Sequence, residues 1–113
     1  MTRVFLYALI STCFAAPAWA QDAEPNSVTY RCDRDVEIPV VFLNQDGGVS
    51  IAVAVIENRP VILRDVIAAS GARYRSGDDA NGYQLWVKGD SATISVGEPD
   101  SEVILYSQCA VTP

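Results

Sequence analysis

From residue 27 onward the apolar residues recur with period two, in short runs cut off by turn residues, and this pattern commits the chain to strands. Val28, Tyr30 and Cys32 alternate with Ser27, Thr29 and Arg31. Val36, Ile38, Val40 and Phe42 alternate with less uniformly polar neighbours. Gln45-Asp46-Gly47-Gly48 supplies a turn, and the stretch from Val49 to Ile56 is rich in β-branched residues. Glu57-Asn58-Arg59-Pro60 turns again, with Pro60 opening a strand from Val61 to Val66, where a missing N–H is tolerated. Further strands are expected at Ala72 to Arg75, Tyr83 to Lys88, Ser91 to Val96 and Glu102 to Cys109. Their links are Ser76 to Gly82, the two-residue hairpin turn Gly89-Asp90, and Gly97 to Ser101. About eight short strands with hairpin-length links suit an antiparallel meander or small barrel. Pro39 inside its run points to an edge or bulge position, and Asp65 to Ser70 offers the one place for a helical turn.

The N-terminus obeys a different logic. Arg3 precedes a short apolar run, Val4 to Ile10, and Ala18-Trp19-Ala20 ends the segment, so residues 1–20 read as a signal peptide cleaved after Ala20. The run is too short for a convincing membrane span. Residues 21–26, Gln-Asp-Ala-Glu-Pro-Asn, have little to bury and read as a flexible lead-in to a domain over 27–113. Ile10-Ser11-Thr12-Cys13 partly matches a bacterial lipobox, which offers an alternative to a soluble periplasmic protein: a lipid anchor through Cys13. Thr12 is bulkier than the residue usual there, which favours the soluble form.

Export changes how the other two cysteines are read. Cys32 and Cys109 lie near the two ends of the mature chain, and in an oxidising compartment they read as a disulfide, the alternative being two buried thiols. A domain this small gains from such help. Chain entropy puts a loop of that size at about 4 to 5 kcal/mol, as an upper estimate.

Charge and absences narrow the function. The net charge is −6, and −7 once Arg3 has left, which disfavours nucleic acid or an acidic membrane face and favours a basic protein as partner. The chain contains no histidine, which removes Ser-His and Cys-His nucleophile pairs and histidine-containing metal sites. There is no glycine-rich strand-to-helix turn for phosphates or a dinucleotide. The carboxylate pairs Asp33/Asp35 and Asp78/Asp79 fall at strand ends and in a hairpin loop, where solvated charge is the ordinary explanation. A binding module with no cofactor, no metal and no small-molecule substrate is expected rather than an enzyme. Monomer and homodimer both stay open.

Two segments stand out: Ala69-Ser70-Gly71-Ala72-Arg73-Tyr74, and Tyr83 to Ala92 with Trp86-Val87-Lys88-Gly89-Asp90 at its centre. If the strands 72–75 and 83–88 pair through the loop near Asp79, antiparallel register brings Ser70 close to Lys88 at the opposite end. Lys88 then stands at a hairpin tip, a point charge on a reaching stem able to enter a cleft. Without any family, the same residues read as a solvated edge charge, a turn, and core or half-buried aromatics at Tyr74, Tyr83 and Trp86.

With Tyr30-Arg31-Cys32 at the start, Ser70-Gly71-Ala72-Arg73-Tyr74 and Trp86-Val87-Lys88-Gly89-Asp90-Ser91-Ala92-Thr93 inside, and Cys109 near the end, the chain resembles the membrane-bound and periplasmic inhibitors of c-type lysozyme, MliC/PliC. The resemblance implies an all-β fold, a small antiparallel eight-stranded β-barrel closed by the disulfide Cys32–Cys109. It also implies insertion of one barrel edge into the lysozyme cleft, with Ser70 and Lys88 as inhibiting residues and Gly71, Tyr74 and Gly89 beside them. The Ser76 to Gly82 stretch is longer than the family's usual link and should lie at the far end from Ser70 and Lys88. A cell-envelope binding or adhesion module on the same barrel is the alternative.

Overall fold

A computed structural model describes residues 10, 12–13, 23–45 and 50–113. Its strands are β1 (Ala23–Arg31), β2 (Glu37–Gln45), β3 (Ile51–Ile56), β4 (Arg59–Val66), β5 (Ala72–Arg75), β6 (Tyr83–Lys88), β7 (Ser91–Val96) and β8 (Val103–Val111). They close in sequence order into one antiparallel barrel. The period-two pattern explains the interior: Ala52, Ala54 and Ile56 of β3 point inward together, joined by Ile38, Val40, Leu63, Leu85 and Ile94, all essentially inaccessible. Small alanines on β3 face bulky residues elsewhere, which lets a narrow barrel fill with side chains.

Several sequence boundaries move. β1 begins at Ala23, so most of the expected lead-in is strand, paired from Ala23↔Gln45 onward. β4 begins at Arg59, which tightens the expected four-residue turn to Glu57-Asn58, both in the left-handed region at φ 53° and 63°. Pro39 pairs with Thr29 on one side, while the β3 pairing starts only at Val40, so its missing N–H falls where β2 has a single neighbour. Asp65 to Ser70 forms no helical turn. Among the described residues the helical turn is a 3-10 segment at Asp33–Asp35. The expected turn at Asp46 to Gly48 lies outside the described residues, as does the leader apart from Ile10, Thr12 and Cys13.

The 3-10 segment answers a need created by β8. The β7–β8 register slips between Ala92 and Ile94 and again before Ser95, with Gln108 at φ 54°, so part of β8 loses regular partners. Asp33 Oδ1 accepts from the Ser107 amide at 3.0 Å and Arg34 donates to the Leu105 carbonyl at 2.6 Å, satisfying the bulged backbone from outside the sheet. Barrel closure itself is short: β1 meets β8 through Tyr30↔Val111 and Arg31↔Ala110 alone. The Cys32–Cys109 disulfide lies beside that seam, and Thr112 adds two hydrogen bonds to the Thr29 carbonyl.

Candidate functional site

The β5–β6 hairpin carries both sequence motifs, and its register fixes their relation. Ala72 pairs with Val87 and Arg73 with Trp86, so the chain entering β5 runs beside the end of β6. Gly71 makes this approach physically possible. Its φ is +66°, and a Cβ there would lie 2.3 Å from the Val87 carbonyl oxygen and 2.9 Å from Lys88 Cγ, too close for any side chain. Gly71 thereby lies against the Lys88 stem, and the exposed Ser70 precedes it in the chain. At the other side of Lys88 the hairpin turns through Gly89 at φ +57°, in open space, and the Ser91 hydroxyl donates to the Lys88 carbonyl at 2.9 Å.

Lys88 is exposed but does not extend freely from the tip. Its Nζ lies 4.1 Å from the centre of the Trp86 ring, two residues back on the same face of β6. Arg73, the cross-strand partner of Trp86, places Cζ at the same distance from that ring. The indole N–H of Trp86 donates to the Ser70 carbonyl at 2.9 Å. Among the described residues no carboxylate lies within 4 Å of the Lys88 ammonium. Arg73 Nε is buried without a hydrogen-bond partner, so its guanidinium is held by stacking alone at that atom. Trp86 was legible only as a motif member and a core or half-buried aromatic, and Arg73 only as a motif member. Period two and register together put them on one face with Lys88.

Tyr74 takes the core position that the residue pattern alone allowed for it. It is 8% exposed, points into the barrel and packs against Phe42 with ring centres 5.6 Å apart. With Tyr30, Phe42, Val87 and Asp90 it lines a cavity of about 330 Å³ in the barrel mouth beneath the hairpin. Burial, aided by the Asp65 charge, holds the Tyr74 phenol above its ordinary pKa. Burial also raises Tyr30, followed by Tyr74 and Asp90. Both are therefore neutral, apolar-side supports for the edge at physiological pH, and in the free protein Tyr74 presents little surface to a partner.

Three of the four carboxylates of the pairs Asp33/Asp35 and Asp78/Asp79 make contacts within the fold. Asp33 serves the β8 bulge, Asp79 Oδ1 accepts from the Asn81 amide at 3.0 Å, and Asp78 stands 3.7 Å from Arg75. The Ser76 to Gly82 loop is at the far end of the hairpin from Ser70, tied down where the Ser76 hydroxyl accepts from the Tyr83 amide at 2.8 Å. Among the described residues there is no group of three or more metal-binding side chains, and no helix long and apolar enough to cross a membrane.

Comparison with known proteins adds a consistent picture. The family model described as the membrane-bound lysozyme-inhibitor of c-type lysozyme matches residues 30–102. The membrane-bound lysozyme inhibitor of C-type lysozyme from Pseudomonas aeruginosa is 33% identical over 84 residues, covering 71% of this chain and 63% of the length of that protein. The crystal structure of PliC-St, a periplasmic lysozyme inhibitor of C-type lysozyme from Salmonella typhimurium, superposes with a TM-score of 0.69 at 26% identity, over 80% of this chain and 100% of that one. Pseudomonas aeruginosa MliC, solved in complex with hen egg white lysozyme, gives a TM-score of 0.60 at 31% identity, over 94% of this chain and 100% of that one.

Proposed function

The chain belongs to the family of membrane-bound lysozyme inhibitors of c-type lysozyme, and from that membership and the geometry of its β5–β6 edge we propose that it is a protein inhibitor of c-type lysozyme, not an enzyme. Ser70 and Lys88 enter the active-site cleft of the lysozyme. Such a cleft holds two carboxylates, one a general acid and one a nucleophile, flanking the bond to be cleaved. The Lys88 ammonium pairs with them and the Ser70 hydroxyl adds a hydrogen bond, so the catalytic centre is filled by groups it cannot hydrolyse. Gly71 and Gly89 shape the backbone on either side, and Tyr74 supports the edge from within.

The observation that carries this reading is an exposed lysine with no carboxylate partner among the described residues, lodged against the Ser70-Gly71 backbone by a contact only glycine allows. The acidic balance of the chain suits capture of a basic enzyme. The leader read in residues 1–20 would deliver the domain to the cell envelope as a soluble periplasmic protein, with an anchor through Cys13 as the alternative. An intact mass beginning at Gln21 supports the first and an acylated Cys13 the second. The functional test is lysis of bacterial cell walls by a c-type lysozyme in the presence of the purified mature chain. Inhibition is expected, and Lys88→Ala should weaken it about tenfold or more, in line with loss of one partner of a desolvated charge pair. Full inhibition by the variant would sink the insertion mechanism.

A further inference from the structure

Ser70 and Lys88 share one neighbour. Trp86 donates its indole N–H to the Ser70 carbonyl at 2.9 Å and carries the Lys88 ammonium 4.1 Å above its ring centre. One rigid side chain therefore reaches both residues, by its edge and by its face. It is itself confined: the bare Gly71 Cα leaves room for Nε1, which would stand 3.2 Å from a Cβ, and Arg73 stacks on the ring from the paired strand. We propose that Trp86 is a positioning residue for lysozyme inhibition, one that sets the spacing of Ser70 and Lys88 before the partner arrives. The proposal rests on the reading of those two as contact residues.

The choice of an aromatic partner has a physical consequence. A carboxylate beside Lys88 would also fix the ammonium, but it would neutralise the charge and compete with the carboxylates of the cleft. A ring attracts the cation through its quadrupole and leaves the charge whole. An exposed lysine stem carries much rotamer freedom, part of which is lost on entering a cleft, and a stem already settled on a ring has less to lose. The indole N–H does the same for the backbone. It ties the exposed link Ile67 to Gly71 to β6, so that Ser70 does not sample positions away from the lysine. Arg73 keeps a second positive charge on the same ring, facing the groove that it and Trp86 line together with Asp100 and Glu102.

Trp86→Phe keeps a ring and removes the N–H, and Trp86→Leu removes both. Each should be measured for lysozyme inhibition in the native and in the Lys88→Ala background, with thermal melts to confirm folding. Trp86→Phe should weaken inhibition about threefold and Trp86→Leu about tenfold, whereas in the Lys88→Ala background Trp86→Leu should add only the roughly threefold loss that belongs to the N–H bond with Ser70. Equal losses from Trp86→Leu in both backgrounds, or equal losses from Phe and Leu, would overturn the proposal. A second readout needs no lysozyme. Cleavage after Ala20 removes Trp19 and leaves Trp86 as the sole tryptophan, so Lys88→Ala should change the emission of the free mature chain. Unchanged emission would remove the contact on which the proposal stands. If Lys88→Ala shifts the emission yet inhibits fully, the insertion mechanism fails and takes the positioning role with it. If Lys88→Ala loses inhibition while Trp86→Leu retains it, the positioning role alone fails.

Discussion

The two ends of the β5–β6 hairpin each carry a strand-terminal cation, and the molecule treats them in opposite ways. At the far end the Arg75 side chain is 5% exposed. It donates to Glu102 at 3.1 Å, to Gln84 at 3.3 Å and to the carbonyls of Gly77 and Gly97. The β7–β8 link folds over the outer face there, so the guanidinium is desolvated and its donors are consumed in tying three elements together. At the near end Lys88 meets an aromatic face and solvent. A cation surrounded by acceptors is structure, and one resting on a ring is available. The ends are also closed by different means: the Lys88 end by a two-pair seam with the disulfide beside it, the Arg75 end by this buried polar network.

That contrast can be broken most forcefully at the seam. Replacing both Cys32 and Cys109 by alanine opens a loop with a sequence separation of 77. Chain entropy then predicts a loss of about 4 kcal/mol in urea unfolding. A loss below about 1 kcal/mol would mean that the short β1–β8 pairing and Thr112 suffice to close the barrel.

At the opposite end Arg75→Leu strands the partly buried Glu102 carboxylate and the Gln84 amide. We expect a cost of about 2 to 3 kcal/mol, at or below the roughly 3 to 5 kcal/mol for fully buried pairs because Glu102 keeps some contact with water. Inhibition by the folded variant should stay within about twofold, since the lesion lies a full strand away from the edge. Lys88→Ala should give the reverse pattern, with stability unchanged within about 0.5 kcal/mol and inhibition lost. If Arg75→Leu instead abolishes inhibition in protein shown to be folded, the two ends are coupled and their separation into structure and function is wrong.

The alternation of apolar residues made most strands legible because a half-buried sheet imposes period two wherever one face meets a core. It failed where pairing does not depend on side chains. Ala23 to Asn26 carry no apolar pattern, yet β2 offers them a ladder of backbone partners and they join it. The Glu57-Asn58 turn was hidden because glutamate seldom adopts positive φ. The 3-10 segment could not be seen at all, since it is held by Asp33 bonding Ser107, 74 positions away. The site divides in the same manner. Register alone brought Ser70 to Lys88, but the assignment of both to lysozyme came from family resemblance. Arg75 and Lys88 look alike as strand-end cations, and only the fold of the Gly97 to Glu102 link over one of them tells them apart. Tyr74 belongs to the motif and to the barrel lining at once, which period two alone could not separate from an exposed position.

The finest test of the near end compares its two glycines, which share a left-handed backbone and differ in surroundings. Gly89→Ala should cost about 1 kcal/mol, the strain of a Cβ at φ +57°, because nothing lies within 4 Å of the added methyl. Gly71→Ala carries the same strain and also drives a methyl to 2.3 Å from the Val87 carbonyl oxygen, a backbone atom of a paired strand that has little freedom to yield. About 2 kcal/mol is expected, with the Ser70 link lifted from β6 and the Trp86 N–H bond lengthened or lost. Inhibition should therefore fall about tenfold for Gly71→Ala and less than about threefold for Gly89→Ala. Equal inhibition losses from the two would place the decisive geometry in the hairpin turn rather than in the approach of Ser70 to β6. A loss confined to Gly71→Ala would show that the spacing of two backbones, set by a missing methyl group, controls what Lys88 can do.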